Sequence, residues 1–132
     1  FDFFASPGAA QALLADDAAL LRGVYAGLSE EAIEEYLGLL GNEPTLTAAL
    51  HWYGANIVDR RFVTDEIGTI TVPTLYVWSD GDDAVCPEGA EATENYVTGP
   101  YRYEVLNGIG HWIPELADET VSGWLVEHLA SG

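Results

Sequence analysis

The sequence predicts an α/β fold: a run of helices followed by a parallel strand–helix–strand unit. The segment from Pro73 to Trp78 is a short apolar run rich in aromatic and β-branched residues, and it enters an acidic loop, Ser79-Asp80-Gly81-Asp82-Asp83. Tyr101 to Leu106 repeats the plan and enters Asn107-Gly108-Ile109-Gly110-His111-Trp112. Between the two lies a segment of helical character, Glu88 to Val97. Strands joined this way run parallel, because a tight hairpin cannot connect strands that point the same way. The carboxyl ends of both strands then share one edge of the sheet, roughly 4.8 Å apart. An acid after the first strand and a His after the second can converge there. An Asp that orients a His is two members of a nucleophile–His–acid triad. The sequence supplies no third member, since no Gly-x-Ser-x-Gly or Gly-x-Asp-x-Gly elbow follows a strand.

The helical half comes first. Ser6-Pro7 has the form of an N-cap followed by a first-turn proline, opening a short helix with Leu13 and Leu14 on its apolar side. Asp16 or Asp17 can cap a second helix carrying Leu20, Leu21 and Val24. Ser29 caps a third, with Glu30 and Glu31 in the first turn, where the helix dipole favours negative charge. Ile33, Tyr36, Leu37 and Leu40 share one face of it and Gly41 ends it. Pro44 opens a fourth helix running to about Ile57, its stripe formed by Leu46, Leu50, Tyr53 and Ile57. Arg60 and Arg61 are expected to pair with local acids. Thr64 to Val72 connects to the first strand, expected over Thr74 to Trp78 and buried.

In the second strand Tyr101, Tyr103 and Val105 alternate with Arg102 and Glu104, which predicts one wetter face. A last helix is expected from about Ala117 to Ala130, with Val121, Trp124, Leu125 and Leu129 on one face. This divides the chain into a helical segment, 1–62, and an α/β segment, 63–132. Two parallel strands alone leave unpaired edges and uncovered faces. Further strands that the sequence does not encode are therefore expected, from a partner chain or a domain swap.

Composition narrows the function. Asp and Glu number 22 against 4 basic residues, all of them Arg, for a formal net charge of −18. Such a chain repels phosphate backbones, so nucleic acid is not an expected partner. No apolar run approaches the roughly 20 residues of a membrane span, and no membrane partner is expected. Cys86 is the single cysteine, which excludes an internal disulfide and suits a reducing, cytoplasmic setting. No Cys/His set has zinc spacing, and Asp80, Asp82 and Asp83 lack the ligand pattern and closing Glu of an EF-hand loop. No metal is expected, and the resemblance described next implies no cofactor.

Four stretches carry a resemblance. Pro73-Thr74-Leu75-Tyr76-Val77-Trp78-Ser79-Asp80-Gly81-Asp82 resembles the strand and acid loop of the α/β-hydrolases, usually Pro-Thr-Leu-x-x-x-Gly-x-x-Asp. Gly110-His111-Trp112-Ile113-Pro114-Glu115 resembles their His loop. Leu50-His51-Trp52-Tyr53 resembles the lid motif Leu-Asn-Trp-Tyr-Arg of epoxide hydrolases, and Phe4 to Gln11 resembles the Phe-Gln-x-Pro-Gly-x-Ala-Glu stretch that opens their lid. The order is that of the epoxide hydrolase and haloalkane dehalogenase-like branch, lid plus C-terminal half. His51 stands where Asn is usual, Gly54 where Arg is usual, and Ser79 where Gly is usual.

The resemblance implies that 1–62 is a helical lid and 63–132 the C-terminal part of the α/β-hydrolase core. It implies that Asp82 orients the general base His111, with Asp80 and Asp83 the lesser candidates for the acid. It assigns Tyr53 as a lid donor to the substrate oxygen, beside Trp52, with a second lid tyrosine falling just before Phe1. The nucleophile would lie in the family's first half. The implied activity is epoxide hydrolysis of a small hydrophobic substrate through a covalent ester. Haloalkane dehalogenase or serine esterase chemistry on the same fold is the alternative, and a ligand-binding or inert fragment is another. Without its nucleophile the chain alone is expected to be inactive. Its expected partner is the N-terminal half of the same hydrolase, as a second chain or by domain swapping.

Overall fold

The computed structural model describes residues 1–57 and 68–131. The chain forms two compact units, Phe1–Glu66 and Ile67–Gly132. Arg60 and Arg61 and the 62/63 boundary lie outside the described residues, as does part of the connection leading to Val72.

The first unit holds helices α1 (Ala9–Val24), α2 (Glu30–Leu40) and α3 (Glu43–Ile57). α1 begins later than Ser6-Pro7 predicts. Gly8 is its N-cap, in the left-handed region at φ 84°, and the Ser6 hydroxyl instead donates to Phe3 O at 2.6 Å. The two short helices expected on either side of Asp16 run as one element broken at Ala15–Ala18. The break is made by backbone, with Asp16, Asp17 and Ala18 all at positive φ. α2 starts as its cap predicts, with Ala32 N donating to Ser29 Oγ at 3.2 Å. α3 begins at Glu43 rather than Pro44, because Asn42 is the cap: its Oδ1 accepts from Thr45 N at 3.1 Å.

Leu13, Leu21, Tyr25, Ile33 and Leu46 are buried together with Ala9 and Ala10. The second half of α1 turns differently from expectation. Leu21 and Tyr25 face inward while Leu20 and Val24 are exposed, because the break at Ala15–Ala18 re-phases the apolar stripe. Tyr25 stacks on Tyr36 with ring centroids 4.7 Å apart. Arg22 crosses to α2, pairing with Glu30 at 2.8 Å and Glu34 at 2.6 Å.

The second unit is the strand–helix–strand unit. Strand β1 (Thr74–Ser79) pairs in parallel with β2 (Tyr101–Leu106), in register from Thr74 opposite Tyr101 to Ser79 opposite Leu106. The crossover is α4 (Pro87–Ala92) followed by a 3-10 turn, Thr93–Tyr96, and not a single helix to Val97. The last helix is preceded by one short turn of helix: α5 (Ile113–Leu116) and α6 (Asp118–Ser131) are separated at Ala117.

β1 is not buried along its length. Only its carboxyl end is, at Trp78 and Ser79. The polar face of β2 is partly covered. Arg102 pairs with Glu104 at 2.7 Å and with Glu127 of α6 at 3.0 Å, and lies over the Trp124 ring. The helix therefore shields Arg102 and Glu104, while Val105 on the other face is exposed. On that other face Tyr76 stacks on its register partner Tyr103, centroids 5.6 Å apart. The expected inner face of α6 remains open at Leu125 and Leu129, 46% and 75% exposed.

Candidate active site

The register brings two loops out of the same sheet edge. Beyond Ser79 and Leu106 the strand ladder ends with one further bond, from Asp80 N to Leu106 O at 3.0 Å. The loops then touch. Gly81 lies so close to Ile109 that a Cβ there would stand 2.5 Å from the Ile109 carbonyl oxygen. Only glycine fits, and the close approach is what lets the next residue reach across. Gly81→Ala is expected to push the loops apart and destabilise the unit by about 1–3 kcal/mol, the usual range for forced overpacking. A denaturant melt tests this, and an unchanged midpoint would contradict the close contact.

Asp82 and His111 meet at this crossing. Nδ1 of His111 lies 3.0 Å from both Oδ1 and Oδ2 of Asp82. The acid is held by its own loop as well: Oδ1 accepts from Ala84 N at 2.7 Å and from Val85 N at 3.0 Å. Burial alone would raise the Asp82 pKa. The His111 hydrogen bond, the Val85 and Ala84 amides and the charge on His111 together outweigh it and hold Asp82 below the ordinary carboxylate value. Its side chain is 4% exposed and that of His111 is 46% exposed. The pair thus has a buried acid and an accessible base. With Asp82 ionised, it accepts only, so Nδ1 must carry a proton, and in the neutral imidazole Nε2 is left with its lone pair. Trp112 meets the His111 ring edge-on at 5.4 Å.

Asp80 and Asp83 do not take this place. Asp80 turns to the His loop backbone, where its Oδ1 accepts from Gly108 N, and Asp83 is exposed. Tyr53 and Trp52 belong to the first unit. Tyr53 is half-buried in an aromatic cluster, 5.9 Å from Phe1, 5.0 Å from Phe4 and 5.2 Å from Trp52 between ring centroids. Trp52 is 61% exposed. A cleft of about 310 Å³ in the same unit is lined by Phe4, Pro7, Gln11, Glu43, Leu50 and His51 among others. Among the described residues Tyr53 and Trp52 do not line it. Sequence reasoning missed the roles of Ser79 and Asp80 in joining the loops. The one signal available was Ser79 standing where the motif it resembles has Gly.

No family model matches the chain. Epoxide hydrolase A of Mycobacterium tuberculosis is 30% identical over 110 residues, which is 81% of this chain and 33% of that protein. Epoxide hydrolase 4 of Homo sapiens is 26% identical over 104 residues, 76% of this chain and 28% of that protein. A crystal structure of epoxide hydrolase A from Mycobacterium thermoresistibile matches in fold with a TM-score of 0.80 at 23% identity, over 97% of this chain and 50% of that one. The chain belongs to the epoxide hydrolase-like α/β-hydrolases. It corresponds to the C-terminal part of these α/β-hydrolases and spans about a third or less of the length of the curated relatives it matches. The helices and the parallel pair are those expected for that part of the fold. No described helix is long and apolar enough to cross a membrane.

Proposed function

We propose that this chain supplies the base, its orienting acid and the helical lid of an epoxide hydrolase whose nucleophile is carried by another segment. The observation that supports it most is the Asp82–His111 contact, with the acid buried and the base accessible. In this reading a carboxylate nucleophile attacks an epoxide carbon. The C–O bond of the ring breaks, and the oxygen leaves as an alkoxide that takes a proton from a lid tyrosine, Tyr53. The product is an ester. His111 Nε2 then removes a proton from water as that water attacks the ester carbonyl. The ester C–O bond breaks, the departing alkoxide takes the proton held by His111 and leaves as the diol, and the water's other proton passes from the new carboxylic acid back to Tyr53, so that the nucleophile is again a carboxylate. Asp82 keeps the imidazole in the required tautomer and stabilises the imidazolium that forms.

The substrate is proposed to be small and apolar, with Trp52 and Tyr53 among its contacts, as the aromatic cluster of the lid unit suggests. The partner is the N-terminal part of an α/β-hydrolase, which would cover exposed apolar residues such as Leu125 and Leu129 of α6. A cytoplasmic setting suits the single, unpaired Cys86.

The reading is tested by assembly. The purified 132-residue chain is expected to show no turnover of epoxides or esters. Fused behind, or mixed with, the N-terminal part of a related epoxide hydrolase, it is expected to restore epoxide opening to the diol. Diol formation by the chain alone would refute the need for an external nucleophile. An assembled protein that binds its partner part yet turns over no epoxide would refute the hydrolase reading. Turnover of esters in place of epoxides would shift it to a serine esterase.

A further inference from the structure

The sheet does not by itself place His111. The ladder stops at Leu106, and among the described residues those from Asn107 to His111 have no strand partner. What holds that loop is a set of contacts from the residues just before Asp82. Ser79 is fully buried and its hydroxyl donates to Gly110 O at 3.2 Å. The Asp80 carboxylate accepts from Gly108 N. Gly81 packs on Ile109. Residues 79–81 thus meet residues 108–110, and the next residue on each side is a member of the acid–base pair.

The Asp80 contact has a particular place in this set. Gly108 sits in the left-handed region at φ 71°, where the chain reverses out of β2. An ionised acceptor makes a stronger bond to a backbone N–H than a neutral one does. Asp80 is also exposed, so its side chain contributes little packing, and its removal leaves the core intact.

We infer that Asp80 is a positioning residue for the Asp82–His111 pair: its carboxylate tethers the backbone of the His loop at Gly108 and, with the second tether from Ser79, fixes the Nδ1 to carboxylate contact. This rests on the proposed hydrolase function, but its first readout does not require catalysis. Nitrogen-15 NMR of the histidine rings, recorded where His111 is neutral, reports which ring nitrogen carries the proton. The wild-type chain is expected to hold His111 as the Nδ1–H tautomer. Asp80→Ala is expected to return it toward the ordinary mixture of tautomers, with an unchanged circular dichroism spectrum. Asp80→Asn, which keeps an accepting oxygen, is expected to retain the Nδ1–H form. In the assembled hydrolase Asp80→Ala is expected to lower kcat by about 10-fold to 100-fold with little change in KM, the scale of a small misplacement of a catalytic group.

A wild-type tautomer in Asp80→Ala overturns the inference. So does a loss in Asp80→Asn as large as that in Asp80→Ala. Should Asp80→Ala fail to fold, Ser79→Ala is read by the same measurement with the same expected direction, and an unchanged tautomer there overturns it. An assembled protein without turnover, in which Asp80→Ala still shifts the tautomer, would sink the hydrolase reading and leave the positioning role standing.

Discussion

His111→Gln in the assembled hydrolase is expected to lower steady-state turnover by on the order of 10⁴-fold, the scale on which loss of a triad member acts. The two halves of the reaction respond differently. Opening of the epoxide by a carboxylate requires no base, because the nucleophile is already ionised at neutral pH. Hydrolysis of the ester does require one, because water is a poor nucleophile until its proton is taken. The variant is therefore expected to react once and stop. An acid-quenched intact mass is expected to show the nucleophile-bearing segment heavier by one whole substrate. With a serine nucleophile the base is needed from the first step, and the adduct does not form. Turnover near the wild-type rate would remove His111 from the mechanism.

Asp82→Asn is expected to cost between about 10²-fold and 10⁴-fold in kcat, and the loop around it explains why a near-isosteric change is so severe. Oδ1 of Asp82 already accepts from Ala84 N and Val85 N. The substituted carboxamide would keep its carbonyl oxygen there, since its amide nitrogen cannot accept those bonds. Its NH₂ group would then face His111 Nδ1 and force that nitrogen to accept. The proton would move to Nε2, the atom that has to act as base. A pH consequence accompanies the kinetic one. The folded Asp82 holds its proton less tightly than an unfolded Asp, so the unfolded chain binds more protons as pH falls. The stabilisation is complete above the unfolded carboxylate pKa, near about 3.9, and is lost as pH drops through the lower folded value. Asp82→Asn is expected to flatten this part of the acid unfolding curve. An unchanged acid limb, together with wild-type kcat, would contradict both statements.

The sequence alone determined the class of fold and the pairing of an acid loop with a His loop. Both depend on local pattern: an apolar run before Asp82, another before His111, and a helix between them dictate a parallel crossover whichever chain carries them. Helix α2 was legible for the same reason, since Ser29, Glu30 and Ile33 act within a few residues of each other.

Contacts between segments far apart in sequence were not legible. Nothing local in Arg102 says that Glu127 and Trp124 of the last helix will meet it. Nothing local in Asp16–Ala18 says that the backbone will turn left-handed and move Leu20 outward while Leu21 turns in. At the site, the residue types were visible but their division of labour was not. Asp80, Asp82 and Asp83 are chemically alike, and the contacts between the two loops decide which carboxylate reaches the imidazole and which is left to hold Gly108. That choice is one of geometry between two loops, and only tertiary structure sets it.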